Sequence, residues 1–244
     1  MCRLFGWAAA QQTSVAQLLG ADVARLQELS HLHSDGWGGA WHGPDGLDLY
    51  REDGPAYASA VFEETVADRV GQTGLLHLRW ATGDLPRCLE NTHPFVRGET
   101  AFIHNGSVPI GTELESLIDG ELLATMDGTT DSERYFLAVL SARRRGKSVS
   151  DAFSGVVESL DGLAWPSLNA MWIEPDWLFA VCAFQPEFRA ADLAEDYYAL
   201  QYRAAEGVTT AWSSYVRSAA GESIPNRTLI AAQASTGSVE LIQI

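Results

Sequence analysis

The sequence contains little cysteine, and its cysteines do not form a disulfide or metal-binding pattern. Cys2, Cys88 and Cys182 are odd in number, widely spaced and without a CxxC pair. This excludes a small scaffold held together by disulfides and gives no sign of a cysteine-ligated metal. Free thiols are typical of a reducing environment, so we expect a cytoplasmic protein.

Long apolar runs are also missing. No stretch of 18 apolar residues occurs, and the apolar segment at residues 4–10 begins too early to resemble the core of a signal peptide. We therefore expect neither a transmembrane segment nor a membrane partner.

Positive charge is scarce. The chain has 16 Lys and Arg against 32 Asp and Glu, a formal net charge of −16, and a sequence pI of about 4.6. Such a field repels nucleic-acid phosphates and anionic lipid surfaces. We therefore expect no nucleic-acid partner. The basic cluster at residues 143–147 is better placed at the end of a helix, where cations interact favourably with the helix dipole.

The order of predicted elements favours an α+β protein. Apolar patterning predicts strands near residues 2–9, 38–51 (a hairpin), 74–82, 100–106, 168–173, 177–184, 196–203, 208–216, 228–234 and 239–244. Helical spacing predicts helices over residues 14–29, 58–70, 131–145 and 150–160. Strands, helices and strands without regular βαβ alternation are typical of layered antiparallel sheets. With 244 residues and no repeat or linker, we expect a single domain over residues 1–244.

A cysteine follows the initiator methionine directly. Removal of Met1 would leave Cys2 with a thiol and a free α-amine on one residue. The unperturbed pKa of an α-amine is about 8, so a good fraction is neutral at physiological pH. One residue could then supply both nucleophile and base, as N-terminal threonine does in other enzymes. The alternative interpretation is an ordinary buried thiol in a first strand.

Several polar residues would suit a thiol that attacks an amide. Asn105 and Gly106 offer a side-chain amide and an accessible backbone N–H for an oxyanion. Arg79 can bind a carboxylate in bidentate fashion, and Asp131 can bind an ammonium group. Together they predict a pocket for glutamine or a γ-glutamyl amide. Taken singly, Arg79 could be a surface residue and Asp131 a helix cap.

Five segments occur in an order that resembles a known family. They are Cys2 after Met1, HLRWAT (77–82), NTHPF (91–95), HNG (104–106) and DSE (131–133). This set resembles the class II glutamine amidotransferases, within the N-terminal-nucleophile hydrolase superfamily. The ENTHPF segment (90–95) and DGWG (35–38) look most like the short, free-standing members.

The resemblance implies a fold and a set of roles. The expected fold is a four-layer αββα sandwich with the nucleophile at the start of a central strand. Cys2 would be the nucleophile, and Asn105 and Gly106 the oxyanion hole. Arg79 would bind the substrate α-carboxylate and Asp131 its α-ammonium group. The implied reaction passes through a γ-glutamyl thioester and requires no metal or other cofactor.

Three further residues complete the implied site. Trp80, Thr82 and His93 match the family's motifs and would line or brace the substrate pocket. The implied small-molecule partner is glutamine or a γ-glutamyl amide. Whether a separate synthase is a further partner is left open by the sequence. The sequence sets no expectation for the oligomeric state.

Alternative functions remain open on the sequence alone. One is a glutaminase subunit that supplies ammonia to a synthase, and another is a non-catalytic binding protein on the same fold. A third is a γ-glutamyl amidohydrolase of ergothioneine-type biosynthesis, from whose pattern residues 31–34 and 212–215 depart. A metallohydrolase is disfavoured because no HExxH motif accompanies the histidines.

Overall fold

The computed structural model describes residues 2–83, 85–219 and 221–244. Its strands are β1 (Arg3–Ser14), β2 (Trp37–Gly43), β3 (Gly46–Glu52), β4 (Val70–Leu78), β5 (Phe95–Arg97), β6 (Thr100–Ser107), β7 (Ser167–Glu174), β8 (Trp177–Cys182), β9 (Leu200–Ala205), β10 (Val208–Ser213), β11 (Glu222–Ile224), β12 (Thr228–Gln233) and β13 (Val239–Gln243). Its α-helices are α1 (Val15–Leu19), α2 (Val23–Leu29), α3 (Phe62–Asp68), α4 (Thr112–Glu115), α5 (Gly120–Leu123), α6 (Asp131–Arg144) and α7 (Val149–Ser159). Within these described ranges, no helix has the length and apolar character needed to cross a membrane.

Two antiparallel sheets form the centre of the molecule. The first has the strand order β11-β9-β10-β1-β4-β2-β3, and the second has the order β13-β12-β8-β7-β6-β5. Apolar side chains from both sheets, among them Leu75, Ile103 and Met171, form one buried cluster between them. The outer face of the first sheet packs against α1–α3, and that of the second against α4–α7. The expected α+β, four-layer αββα architecture is confirmed.

Strand β1 shows how the sequence specifies this layering. Successive side chains of a strand point to opposite faces. Leu4 and Ala8 accordingly lie in the cluster between the sheets, whereas Phe5 and Trp7 lie in the cluster beneath α1–α3. All four are buried, which explains why the segment reads as a nearly continuous apolar run.

Helix α6 begins at Asp131, as the sequence predicts, but Asp131 is not its N-cap. Thr130 is the N-cap, and its hydroxyl accepts a hydrogen bond from the Glu133 backbone N–H at 3.1 Å. Asp131 is the first helical residue, and its negative charge is favourable near the helix N-terminus. The buried side chains Tyr135 and Phe136 anchor the helix on the second sheet. Asp131 is thereby held at a fixed position at one end of the molecule.

Several predicted elements differ in extent from the structure. The strand predicted over residues 74–82 is β4 (Val70–Leu78), so residues 79–82 lie in the loop after it, and the strand predicted over residues 208–216 ends at Ser213. The helix predicted over residues 14–29 is broken by a 3-10 turn at Gly20–Asp22, where Gly20 has a φ of 54° that ends α1. The helix predicted over residues 58–70 covers only Phe62–Asp68. The strand predicted from residue 196 starts at Leu200 because Tyr198 leaves the sheet: its carbonyl accepts a hydrogen bond from Asn169 Nδ2 at 2.6 Å.

Candidate active site

Four chain segments meet at one end of the two sheets. The antiparallel register pairs Arg3 with Leu78, so β1 begins beside the end of β4. The end of β6 lies next to the start of α6, because the Val108 backbone N–H donates to Asp131 Oδ2 at 2.6 Å. Residues that are far apart in the sequence are therefore neighbours here.

One small cavity lies at this meeting point. Seven of the eight residues predicted for the site line it: Cys2, Arg79, Trp80, Thr82, His93, Gly106 and Asp131. Its volume is about 20 Å³, enough for about one water molecule. The eighth, Asn105, does not line this cavity but directly precedes Gly106. It lies two residues after Ile103 and so points into the space between the sheets.

The Cys2 thiol is buried at the edge of this cavity. Its Sγ donates to the Trp80 carbonyl oxygen, with 3.7 Å between the two atoms. Burial raises the pKa of the Cys2 thiol above its usual value, while the positive charges of Arg79 and Arg3 act in the opposite direction. The thiol is therefore protonated at neutral pH and needs a base before it can act as a nucleophile.

The Asn105 side chain is buried without a hydrogen-bond partner. It has no solvent exposure, and neither its Nδ2 nor its Oδ1 is paired with any described residue. Buried amides are normally hydrogen-bonded, so an unpartnered one calls for an explanation such as a ligand. The next residue must be glycine, because a Cβ on Gly106 would lie 1.8 Å from the Ser167 carbonyl oxygen.

Two opposite charges line the same cavity. Arg79 is 2% exposed and donates to the carbonyl oxygens of Asp35 and Pro86 at 3.1 and 3.2 Å. Asp131 accepts from the backbone N–H of Val108 and from that of Ser132, the latter at 2.9 Å. Within the described ranges, no oppositely charged side chain lies within 4.0 Å of either group. The site therefore presents a cation and an anion without protein counter-charges.

Two buried histidines, His93 and His104, line the cavity, and a third, His77, packs against His93. The ring of His93 lies 4.2 Å from that of His77, and His104 Nδ1 lies 2.9 Å from Ser132 Oγ. Burial lowers the pKa of His77 to about 3 and that of His93 well below its usual range. These rings are therefore neutral at pH 7, and at that pH they are poor proton acceptors.

The remaining predicted residues belong to the loop after β4. Trp80 is partly exposed at 37%, and its ring meets the edge of the His33 ring at 5.7 Å between centroids. Thr82 lies two residues further on and is exposed. Together they form the outer wall of the cavity, between the buried thiol and the surface.

Two further residues brace this loop, although their sequence context alone assigned them no role. Asp35 Oδ2 accepts from the Ala81 backbone N–H at 2.8 Å, and Oδ1 lies 2.7 Å from Arg87 Nε. Asn91 joins the loop to the segment before α6: its Nδ2 donates to the Pro86 carbonyl at 3.2 Å, and its Oδ1 accepts from Thr129 N at 2.9 Å. The sequence feature that could have identified Asp35 and Asn91 is their position in the DGWG and ENTHPF segments.

With this geometry in view, comparison with known proteins identifies the family. The model for class II glutamine amidotransferases matches residues 1–200. The chain belongs to this family, whose members are enzymes that act on amide bonds.

Curated relatives agree with that assignment over part of their length. The glutamine–fructose-6-phosphate aminotransferases (isomerizing) of Caulobacter vibrioides and Leifsonia xyli are 31% and 34% identical over 104 and 172 residues. These segments cover 42% and 66% of this chain, but only 17% and 26% of those enzymes. Among solved structures, a glutamine aminotransferase class-II domain protein from Silicibacter pomeroyi has the same fold. It matches with a TM-score of 0.67 and 17% identity, over 100% of this chain and 99% of that one.

Proposed function

We propose that this protein hydrolyses the side-chain amide of glutamine or of a γ-glutamyl amide, with Cys2 as the nucleophile. The proposal rests on the side-chain amide of Asn105, which is buried and has no hydrogen-bond partner among the described residues. The next residue, Gly106, lines the cavity that also contains Cys2. A buried amide that the fold does not use is available to a ligand. Family membership supports the choice of an amide bond as the target.

The base in this proposal is the α-amine of Cys2, exposed by removal of Met1. Burial keeps the thiol protonated, and its hydrogen bond in the described structure goes to the Trp80 carbonyl. The buried histidines are weak bases, since the pKa of His77 is lowered to about 3. An α-amine with a pKa of about 8 is the better-matched proton acceptor near neutral pH.

The amino-acid end of the substrate is assigned to the two unpaired charges. Arg79 binds the α-carboxylate through its guanidinium group, and Asp131 binds the α-ammonium group. Trp80, Thr82 and His93 form part of the wall of the pocket. These contacts recognise the glutamyl group of the substrate. They place no restriction on the substituent carried by the amide nitrogen.

The reaction then proceeds in two steps. The α-amine takes the thiol proton while sulfur attacks the γ-carbonyl carbon, and the Asn105 amide and the Gly106 backbone N–H stabilise the oxyanion. The C–N bond breaks, the departing amine takes a proton, and a γ-glutamyl thioester remains on Cys2. Water attacks the thioester, which releases glutamate and restores the thiol.

Substrate entry requires movement of the loop after β4. A cavity of about 20 Å³ does not accommodate a glutamine molecule. Ala81, Thr82 and Leu85 line its outer side, and hydrogen bonds to Asp35 and Asn91 hold the loop. We assign to this loop a shift that opens the pocket for substrate.

We further propose that residues 1–244 act as one domain. The first sheet combines β1–β4 from the beginning of the chain with β9–β11 from its last third. The second sheet likewise combines β5–β8 with β12 and β13. Because both sheets draw strands from distant parts of the chain, a cut at any of these crossings would leave an incomplete sheet.

A glutaminase assay on the untagged protein tests the proposal. We expect release of glutamate and ammonia from glutamine, loss of that activity in Cys2→Ala, and its retention in Cys88→Ala. Insertion of a residue before Cys2 is expected to abolish activity as well, since the base becomes a peptide nitrogen. Equal hydrolysis by Cys2→Ala would overturn the proposed mechanism.

A further inference from the structure

A second and much larger cavity adjoins the candidate active site. Its volume is about 610 Å³, within the range of roughly 300–1,000 Å³ that is typical of small-molecule sites. Trp80 lines both this cavity and the one that contains Cys2, so this residue belongs to the wall of each. We call this larger space the Trp80 cavity.

Arg3 gives the Trp80 cavity a buried positive charge. It follows the proposed nucleophile directly and is 3% exposed, and its Nη1 donates to the Cys2 carbonyl at 2.9 Å. Its guanidinium carbon lies 4.2 and 5.4 Å from the ring centroids of Tyr197 and Tyr215. These distances allow cation–π attraction, which offsets part of the cost of burying the charge.

The Arg3 charge has no anionic partner in the protein. Among the described residues, no carboxylate lies within 4.0 Å of its guanidinium group, and its buried Nε has no hydrogen-bond acceptor. Arg25, Glu28 and Asp192 also line the Trp80 cavity, but all three are exposed and therefore solvated by water. A buried cation without a counter-charge is costly. An anionic group on a ligand would supply the missing partner.

The rest of the wall is largely apolar. Leu29, Leu32 and Leu193 line it together with the rings of Trp80 and Tyr215. Leu32, Trp80 and Tyr215 are exposed at 64%, 37% and 41%, so the cavity presents apolar surface to solvent. Such a surface gains free energy when it covers an apolar or aromatic ligand.

We propose that the Trp80 cavity holds the leaving amine of a γ-glutamyl amino acid or peptide, pairing its carboxylate with Arg3 and its apolar or aromatic side chain with Trp80 and Tyr215. This inference rests on the proposed function, because it assigns the second half of that substrate. The glutamyl half faces Arg79 and Asp131, and the scissile amide lies at Cys2. The preferred substrate is therefore a γ-glutamyl amino acid, and free glutamine is a smaller substrate that does not reach the Trp80 cavity.

The chemistry is that of the proposed reaction with a larger leaving group. Sulfur of Cys2 forms a bond to the γ-carbonyl carbon, and the bond from that carbon to the amino-acid nitrogen breaks. The nitrogen takes the proton that the thiol lost, so the products of the first step are a free amino acid and the thioester. Water then yields glutamate and the thiol, and no oxidant, reductant or further reactant is needed.

Three substrates test the inference directly: glutamine, γ-glutamyl-phenylalanine and γ-glutamyl-phenethylamide, which lacks only the carboxylate of the second. We expect kcat/KM for γ-glutamyl-phenylalanine to exceed that for the phenethylamide by roughly 10- to 100-fold, the value of a hydrogen-bonded charge pair. In Arg3→Gln this ratio is expected to fall towards one, because the buried charge that distinguishes the two amides is gone and the remaining cation, Arg25, is exposed and solvated.

Two exposed aromatic residues provide matched variants. Tyr215→Ala is expected to lower kcat/KM for both aromatic amides relative to glutamine, since it removes part of the apolar wall. Phe188 lies in a neighbouring cavity that does not include Arg3, and Phe188→Ala is expected to leave the relative rates unchanged. Equal effects of the two variants would count against the assignment to the Trp80 cavity.

The outcomes separate this inference from the proposed function. If glutamine is hydrolysed and the two aromatic amides react equally well or not at all, the leaving-amine assignment is overturned while the proposed function stands. If neither glutamine nor either amide is hydrolysed, both are overturned. A carboxylate preference that persists in Arg3→Gln would exclude Arg3 as its source.

Discussion

Asn105 and Asn169 lie directly opposite each other on neighbouring strands, β6 and β7, yet the fold uses only one of the two amides. Asn169 donates to the Tyr198 carbonyl at 2.6 Å and accepts from the Ala183 backbone N–H at 2.9 Å. The Asn105 amide has no partner in the described part of the chain. Both side chains are fully buried. Of this pair, the Asn169 amide therefore stabilises the fold, whereas the Asn105 amide is free to bind a ligand.

Substitution of this pair is expected to have opposite consequences. Asn105→Ala should lower kcat by roughly 10²–10³, the usual cost of losing an oxyanion donor, with little loss of stability because no hydrogen bond is broken. Asn169→Ala should cost about 1–3 kcal/mol of unfolding free energy, since two buried backbone groups lose their partner. Steady-state kinetics and denaturant unfolding measure the two effects. Large destabilisation by Asn105→Ala with unchanged kcat would contradict the oxyanion role.

Gly106 offers a second test of the oxyanion hole. A Cβ at this position would clash with the Ser167 carbonyl oxygen, so Gly106→Ala must displace the end of β6 and its backbone N–H. We expect both stability and kcat to fall. Gly155 in α7 has open space around its position, and Gly155→Ala should stabilise the protein by about 0.5–1 kcal/mol. Thermal unfolding and glutaminase rates distinguish the two, and full activity of Gly106→Ala would be the contrary result.

Arg79 is expected to contribute mainly to substrate binding. Arg79→Lys keeps the positive charge but loses the bidentate geometry for a carboxylate. We predict a rise in KM for glutamine of about 10- to 100-fold, with a much smaller change in kcat. Arg143→Lys, which alters a remote pair with Glu174, is the control. A fall in kcat at constant KM would instead place Arg79 in transition-state stabilisation.

The burial of His77 predicts that the free energy of unfolding falls as the solution becomes acidic. Its pKa is about 3 in the folded protein because burial disfavours the charged ring, whereas an unfolded histidine has a pKa of about 6.5. The unfolded state therefore binds the proton first as the pH falls. The contribution of His77 is present above pH 6.5 and is lost towards pH 3, by up to about 1.4 kcal/mol for each pH unit.

Denaturant unfolding between pH 7 and pH 4 measures this effect. His77→Gln keeps a donor for the His104 carbonyl, which lies 3.2 Å from His77 Nε2, but cannot take up a proton. The unfolding free energy of this variant should depend on pH less steeply than that of the parent, because unfolding of the variant takes up about one proton fewer. The surface variant His31→Gln serves as the control. Identical pH slopes for His77→Gln and the parent would refute the assignment.

The sequence was sufficient to predict the fold class and to identify most of the residues that line the candidate site. The apolar patterning of β1 and the helical spacing from residue 131 are local signals, and both predicted the observed elements, whereas the N-cap of α6 is Thr130 and not Asp131. Cys2, Arg79 and Asp131 could be grouped because each belongs to a short motif with a recognisable chemical role. Their contribution to one cavity is a property of the fold, and their roles in catalysis stay predictions.

Other features depend on contacts that no local pattern records. Asp35 and Asn91 brace the loop after β4 through bonds to Ala81 and Pro86, and only the folded chain brings these partners together. The true start of β9 at Leu200 follows from the hydrogen bond between Asn169 and Tyr198. The Trp80 cavity combines residues from widely separated segments, so neither its volume nor the isolation of the Arg3 charge could be predicted.

The most direct test of the account is the intact mass of the untagged protein before and after reaction with diazo-oxo-norleucine, an electrophile that mimics glutamine. We predict loss of Met1 and one stoichiometric adduct, absent in Cys2→Ala and retained in Cys88→Ala. A protein that keeps Met1 and forms no adduct would contradict the central claim, and Cys2 would then be a buried thiol at the start of β1.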